Sequence, residues 1–506
     1  MKEDGLEFDY KDNDIKTFLP GEFPYTSGLY PNMYKEKSWN IKQYAGYGDA
    51  ESANLNFKKL INSGSSGISI AFDLPTQMGI APESNLAKFE VGRIGVFVNT
   101  LDDMRILLQG INLKDISTSM TINASAGILL LMYQIVAEEN GIDANQLRGT
   151  IQNDLLKEFI TRSTYIFPPR PSMRFTNDIF GYCAKELPKW NPISVSGYHF
   201  SEAGANAPQE IAFAISNGVY YLESALSYGL DIEKLAEKFT FFFSAKTNLL
   251  EEIAKFRAAR SIWAKILKNK FNFTSPKSLQ MRIHAQTAGS QLCAFGIENN
   301  QARVTIQALA AIFGGVQSLH TNSYNEALSL PTENSSKLAI NIQHVIKEET
   351  DITFAPDPMR GSYVVENLTS KMELEVLDII QNIEDFGGVI NAIESGYQRS
   401  LIENSSYKEA KDLADNKKKI VGLNIGAKLN DDDLGKNAYF TQGANTSTSS
   451  VNIAASMIEK SAFSELKKCA QSDKNVMYPI KDLIRQGASV SEISDCLREC
   501  WGTYNN

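Results

Sequence analysis

Three of the four histidines in this sequence sit beside amides or a phenol at the ends of short β-type runs. The first run closes on Phe72–Asp73, the second on Asn123, and the third on Gln152, Asn153 and Asp154. Later runs close on Tyr198–His199, on His284 with Gln286, and on His320 with Asn322, while His344 lies in a helical pattern. A neutral imidazole or amide placed this way can donate to charge developing on a carbonyl oxygen without ionising itself. Taken singly, each such residue could equally cap a helix or satisfy a loop carbonyl. As a set they describe a neutral site rich in imidazole and amide groups. The sequence holds no GxSxG, no HExxH and no carboxylate pair at a spacing suited to acid/base work, so ordinary hydrolysis finds no support.

The elements that must position these residues alternate. The β-type runs are Gly67–Phe72, Ser117–Asn123, Gly149–Gln152, Ile193–Gly197, Phe239–Ser244, Leu279–His284 and Gln317–His320, with room for an eighth around Thr353–Val364. Amphipathic helical stretches lie between them, among them Ala50–Ser63, Leu101–Gly110, Ala126–Asn140, Gln209–Ser227 and Ala302–Phe313. This succession implies an α/β protein with parallel pairing, and eight runs are most simply a (β/α)8 TIM barrel. An open doubly wound sheet is the alternative, but no GxGxxG follows a first strand and no GxxxxGK[ST] occurs. In a barrel, the strand ends named above are where chemistry belongs. Ser117, Ser119 and Thr121 put small hydroxyls on one face of the second run, where a packed barrel would carry Val, Ile or Leu. The barrel is therefore expected to be hollow enough to admit a ligand.

Residues 1–30 read as an N-terminal arm, 31–395 as the barrel and 396–506 as a helical extension. That extension contains a Lys-rich helical stretch, the acidic run Asp431–Asp433, a Ser/Thr/Asn-rich linker at Gln442–Ser450, and helices at about Val451–Ser472 and Tyr478–Cys500. The 506 residues carry a net charge of −9, with 43% hydrophobic and 22% charged residues, so a folded globular chain is expected and no nucleic acid or anionic membrane is called for. No apolar leader opens the sequence and no window is long enough to span a membrane, which points to the cytoplasm. Five cysteines without a CxxC read as reduced thiols; Cys496 and Cys500 share a helical face, with no His nearby to complete a metal site.

The segments YPNMY, WNIKQYAGYGDA, SGISIAFDLPTQMG, GTIQNDLLKEFITRSTYIFPPRPSMR, SGYHFSEAGA, RIHAQTAG, GGVQSLHTNSYNEALSLPTE and DPMRGSYVVE run in order from about residue 24 to 425. Together they resemble the large-chain barrel of the methylmalonyl-CoA mutase family. The resemblance implies a barrel that threads the pantetheine arm of coenzyme A along its axis. It also implies an isomerase, an intramolecular transferase, that uses adenosylcobalamin for a radical carbon-skeleton rearrangement.

By that resemblance Tyr44 matches the tyrosine that packs against substrate and helps displace the adenosyl group. Arg162 matches the arginine that pairs with the free carboxylate of methylmalonyl-CoA, a role suited to a bidentate guanidinium. His199 matches the histidine on the thioester carbonyl, and Tyr198 a tyrosine that shields the radical. Gln152, Thr150, Ser119, Thr121, Gln317, Ser318 and Thr240 match groups around the acyl-CoA, as do Tyr30 and Met33 in YPNMY. His284, Gln286, Glu326 and Ala327 match the wall that faces adenosylcobalamin. Lys37, Lys42 and Lys238 stand where well-known members carry Arg at the coenzyme A entrance, and Asn40 replaces a Thr; lysine keeps the charge but not the planar fork.

Self-sufficient members of the family carry a DxHxxG motif whose histidine ligates cobalt. Here the residues two positions before the four histidines are Gly197, Arg282, Ser318 and Ile342. The resemblance thus implies that the lower ligand comes from a small cobalamin-binding subunit, in a hetero-oligomer or dimer. The expected reaction is interconversion of methylmalonyl-CoA and succinyl-CoA. The alternatives are another acyl-CoA, ethylmalonyl-CoA or isobutyryl-CoA, or a non-catalytic structural subunit of a heterodimeric mutase.

Overall fold

Short runs rich in β-branched and hydroxyl side chains, each followed by a helix, build the core of a computed structural model that describes residues 17–46, 48–62, 67–329, 331–426 and 458–504. The strands are β1 (Asn40–Ile41), β2 (Tyr44–Ala45), β3 (Gly67–Ala71), β4 (Ser117–Thr121), β5 (Gly149–Ile151), β6 (Trp190–Asn191), β7 (Ile193–Ser196), β8 (Phe239–Ala245), β9 (Arg282–Thr287) and β10 (Ser318–His320). Two of these runs are interrupted, β1/β2 at Lys42–Gln43 and β6/β7 at Pro192. Each counted once, they leave eight parallel-pairing segments, the complement of a (β/α)8 TIM barrel.

The chain divides into two compact units. One comprises Met1–Ile41, Ser196–Gly218 and Thr240–Gly443, and its strands run in the order β1-β10-β9-β8. Asn40 pairs with Ser318, Ser318 with His284, and His284 with Phe242. The other comprises Lys42–Val195, Val219–Phe239 and Ala444–Asn506, with the order β2-β3-β4-β5-β6. Its register carries one row of partners across every strand: Tyr44, Ser69, Ser119, Thr150 and Asn191.

Alternation along the strands explains which face packs. In β4, Thr118 and Met120 are buried and Ser117, Ser119 and Thr121 are half-exposed; in β9, Ile283, Ala285 and Thr287 are buried and Arg282, His284 and Gln286 are half-exposed. The buried face of β4 is covered by the helix Ala126–Glu139, buried from Ala126 to Ala137, whose Tyr133 OH lies 3.0 Å from Thr118 Oγ1. Gly149 is required by closeness: a Cβ there would lie 2.3 Å from Thr118 O and 2.4 Å from the Trp190 ring.

The seven β-type runs read from sequence all contain a strand, with the sixth displaced to Arg282–Thr287 because Pro276–Leu279 is a helical turn. The eighth does not lie at 353–364. Residues 353–361 are turns, broken by Pro356, Pro358 and Gly361, and a helix starts at Tyr363. The missing segment is instead β1/β2, whose two-residue pieces are too short to show a period. The C-terminal extension is helical over Tyr397–Ala414, Ser464–Ala470, Met477–Arg485 and Val490–Trp501. The single helix expected at Tyr478–Cys500 is two, parted at Gly487, whose φ of 101° ends the first. The acidic run, the Gln442–Ser450 linker and the start of the Val451–Ser472 helix lie outside the described residues, as does most of the N-terminal arm. No helix among the described residues is long and apolar enough to cross a membrane.

Behind β8 the first unit buries a charge cluster on the helix Leu249–Phe271. Lys255 Nζ donates to Glu210 Oε2 at 2.9 Å, to Glu252 Oε2 at 2.5 Å and to Ser244 O at 2.9 Å, all within residues about 1% exposed or less. Removing the cation strands two carboxylates in a low-dielectric interior. Lys255→Ala is expected to cost about 3–5 kcal/mol, read as an earlier urea transition; an unshifted midpoint would contradict this account of the cluster.

Candidate functional site

In the second unit, β5 is followed at once by Gln152, which is buried and which the two-residue period places on the same side as Thr150. Beyond it the chain makes a short helix, Leu155–Lys157, that widens into a π-helical turn at Glu158–Arg162 and stops at Ser163, with φ of 58°. Such turns are uncommon and recur at functional positions. Here the turn directs Arg162 into a half-buried position. Its Nη2 donates to Gln77 Oε1 at 3.0 Å, and its Nη1 lies 3.5 Å from Glu158 Oε1. Gln77 is itself fixed by donating to Phe72 O at 2.6 Å. Tyr44 exposes 45% of its surface. Desolvation of its phenol pushes the pKa up, and the charge of Arg162 pulls it down, so the two groups lie within electrostatic reach.

Beneath Arg162 lies a fully buried polar network. Glu158 accepts from Asn123 Nδ2 at 2.7 Å and from the hydroxyl of Thr164; Asn123 Oδ1 accepts from Asp154 N at 3.0 Å; and Tyr221 OH donates to Asp154 Oδ1 at 2.7 Å. Asn123 Nδ2 also donates to Gln152 Oε1 at 3.1 Å, and Lys157 Nζ donates to that same oxygen. Burial drives the Lys157 ammonium well below the usual lysine pKa, with Glu158 opposing the shift and Arg162 adding to it.

Among the hydroxyl row, Ser119 Oγ accepts from Lys42 Nζ at 3.3 Å, and Thr150 Oγ1 accepts from Asn191 Nδ2 at 3.0 Å. Thr121 stands two residues beyond Ser119 on the same half-exposed face. Lys42 precedes β2 and Lys238 precedes β8, so these cations stand at the N-terminal ends of strands, while Arg162 and Gln152 follow a C-terminal end. The hydroxyl-lined face thus lies between lysines at the N-terminal ends of strands and the guanidinium of Arg162 beyond a C-terminal end.

The first unit holds a separate constellation. Tyr198 and His199 open the short helix Tyr198–Glu202 after β7. His199 Nδ1 lies 2.7 Å from Ser196 Oγ, and the Tyr198 ring stacks on Phe242 at 4.7 Å. His284 Nδ1 lies 2.8 Å from Ser318 Oγ, with its ring 5.2 Å from that of Phe242. Gln286 Nε2 donates to both Tyr198 OH and Asn322 Oδ1 at 3.0 Å, and Asn322 is oriented by donating to Thr287 O at 3.0 Å. That arrangement spends both donors of Gln286 and turns its carbonyl oxygen outward as an acceptor.

Glu326 and Ala327 follow β10 on an exposed turn, and desolvation together with the neighbouring Glu202 pushes the Glu326 carboxyl up. Gln317 does not join the open face: its Oε1 accepts from Ile283 N at 2.7 Å and its Nε2 donates to Gly315 O at 2.9 Å. Met33 is buried, its sulfur accepting from Leu29 N, whereas Tyr30 and Lys37 are exposed and Thr240 is half-exposed near the start of β8. No group of three His, Cys, Asp or Glu residues able to hold a metal occurs among the described residues.

Sequence reasoning did not single out Lys157, Glu158, Gln77 or Phe242. The signal for Lys157 and Glu158 was a charged pair inside the apolar run LLKEFI, which reads as a solvated helix face but is 0% exposed. With only four histidines in the chain, the serine contacts can be tested by long-range 1H–15N spectra. Ser196→Ala should move the His199 ring signals and leave those of His284 unchanged, while Ser318→Ala does the reverse; crossed or absent effects would refute these pairings.

The methylmalonyl-CoA mutase family model matches residues 3–503. A probable mitochondrial methylmalonyl-CoA mutase of Caenorhabditis elegans is 46% identical over 406 residues, covering 80% of this chain and 55% of its own length. The 2-hydroxyisobutanoyl-CoA mutase large subunit of Aquincola tertiaricarbonis is 39% identical over 492 residues, covering 96% of this chain and 88% of its own. The methylmalonyl-CoA mutase of Escherichia coli K12 is 38% identical over 508 residues, covering 98% and 70%.

Proposed function

Because this chain belongs to the methylmalonyl-CoA mutase family, we propose that it is the acyl-CoA-binding, catalytic part of an adenosylcobalamin-dependent isomerase that interconverts methylmalonyl-CoA and succinyl-CoA. The observation that carries this reading is Arg162, half-buried against Gln77 and Glu158 in the unit that also carries Tyr44 and a strand face lined with Ser69, Ser119 and Thr150. The small hydroxyls leave room and hydrogen bonds for an extended pantetheine arm, and Lys42, Lys238 and Lys37 would meet its phosphates. Arg162 offers a carboxylate charge-assisted hydrogen bonds. Tyr44 supplies an aromatic wall and Gln152 an amide donor to the acyl-CoA, while His199 of the first unit offers the thioester carbonyl a neutral donor that stabilises charge gathering on its oxygen.

The residues present fit the cofactor's adenosyl side. Gln286 offers an acceptor, His284 an imidazole edge and Glu326 a carboxylate, and with Ala327 they would face it. When bound, adenosylcobalamin supplies the homolytic hydrogen abstraction that the reaction needs. The protein's part is to orient substrate, shield it with Tyr198 and Tyr44, and exclude water.

We assign the cobalt ligand to a separate small subunit, in a hetero-oligomer or dimer in the cytoplasm. What supports this is that the Aquincola relative, of whose length this chain covers 88%, is itself named a large subunit. The chain spans 55% of the length of the nematode relative and 66% of a mouse mitochondrial methylmalonyl-CoA mutase. That relative's name also favours a second reading, a mutase for a different branched acyl-CoA such as isobutyryl-CoA or ethylmalonyl-CoA.

The chain mixed with a cognate cobalamin-binding subunit and adenosylcobalamin should turn over methylmalonyl-CoA, and the chain alone should not. Turnover of isobutyryl-CoA only would establish the second reading, and none with any acyl-CoA in a demonstrably formed complex would leave a structural subunit. In the active complex, Arg162→Gln should lower kcat/KM for methylmalonyl-CoA about 10- to 100-fold, the worth of a charged hydrogen bond. An equal loss for an acyl-CoA lacking a carboxylate would remove Arg162 as the selector.

A further inference from the structure

Gln152 has two chemically different ends, and its neighbours decide which one a ligand meets. Its Oε1 faces Lys157 Nζ and Asn123 Nδ2. As an ammonium Lys157 has donors only and faces the oxygen of Gln152, the same oxygen to which Asn123 Nδ2 donates. Asn123 is not free to turn round either, since its own Oδ1 receives Asp154 N–H and its Nδ2 is shared with Glu158. The amide of Gln152 is therefore held in one sense, with no acceptor for its Nε2 among the described residues. It lies just beyond β5, two residues after the half-exposed Thr150, and is itself 5% exposed, in the unit that carries Tyr44 and Arg162.

We propose that Lys157 is a positioning residue: by occupying the carbonyl end of Gln152 from inside the core, it presents the Gln152 amide nitrogen as a fixed donor to an oxygen of the bound acyl-CoA. This rests on the acyl-CoA reading of the site. Lys157 has no surface of its own, with 0% of its side chain exposed, so it can reach a ligand only through its neighbours, of which Gln152 receives its hydrogen bond. A glutamine free to flip would offer a substrate oxygen its own oxygen half the time, a repulsive contact in a desolvated site. Keeping a lysine in the core costs stability, and a fixed amide is what the cost secures. Glu158 and Asp154 are the anions nearest that ammonium, and Arg162 the nearest cation.

A double-mutant cycle on the full chain, read as affinity for a hydrolysis-resistant ketone analogue of methylmalonyl-CoA, in which a methylene replaces the thioester sulfur and the carbonyl oxygen is kept, by calorimetry and as kcat/KM in the reconstituted complex, separates positioning from general stability. Lys157→Met should weaken binding about tenfold or more in the wild-type background and less than about twofold when Gln152 is already Ala. An equal loss in both backgrounds, or none in either, would overturn the proposal. Should Lys157→Met not fold, Gln152→Glu decides: its carboxylate can pair with Lys157 but offers no donor, so it should bind as poorly as Gln152→Ala, and wild-type affinity would overturn the donor role. If the analogue binds while the complex turns over no acyl-CoA, the functional reading fails and the positioning result still stands on binding.

Discussion

A β-strand must send every second side chain the other way, and in this protein that constraint separates stability from function strand by strand. Thr118 and Met120 of β4, and Ile283, Ala285 and Thr287 of β9, face helices and are buried. Their neighbours Ser117, Ser119 and Thr121, and His284 and Gln286, face the other way and are left partly open. Filling the second set with Val, Ile and Leu would gain hydrophobic stabilisation, about 1.5–3 kcal/mol for each large side chain fully buried. Small hydroxyls forgo it and leave a hydrogen-bonding face with room beside it. Every functional assignment made above depends on that face being unpacked.

An open polar face is useful only if its groups are held still, and the protein holds them with buried polar partners. Arg162 is held between Gln77 and Glu158, Gln152 between Lys157 and Asn123, and Gln286 between Tyr198 and Asn322. In the two glutamines the result is opposite: Gln152 has its nitrogen left over, a donor, and Gln286 its oxygen, an acceptor. The buried partners thus set which end of each amide is left for a ligand. The buried charges of Lys157, Glu158 and Lys255 are costly as contributors to stability and intelligible as scaffolding.

Much of this was legible in the sequence, for physical reasons. The strands with hydrocarbon on one face announce themselves by composition, and the hydroxyl alternation of Ser117, Ser119 and Thr121 already implied an unpacked face. The family resemblance, carried by long unusual segments, holds at the level of the whole chain. What stayed hidden was either very short or masked by charge. The run Asn40–Ala45 pairs through only four residues and is split by Lys42 and Gln43, while residues 353–364 have β-type composition and are broken by two prolines and a glycine. Lys157 and Glu158 escaped notice because nothing local in the run LLKEFI reveals that both charges are buried. Gln317 has the residue type of a ligand contact, yet both ends of its amide are spent on backbone.

The central claim is that the hydroxyl row ending near Arg162 is an acyl-CoA binding face. Its most direct test is a crystal structure of the chain with methylmalonyl-CoA bound. The account predicts the pantetheine arm lying along Ser69, Ser119 and Thr150, the free carboxylate on the Arg162 guanidinium, and a substrate oxygen within hydrogen-bond distance of Gln152 Nε2. Coenzyme A bound away from this row, or a carboxylate that leaves Arg162 on Glu158 and Gln77 alone, would contradict it.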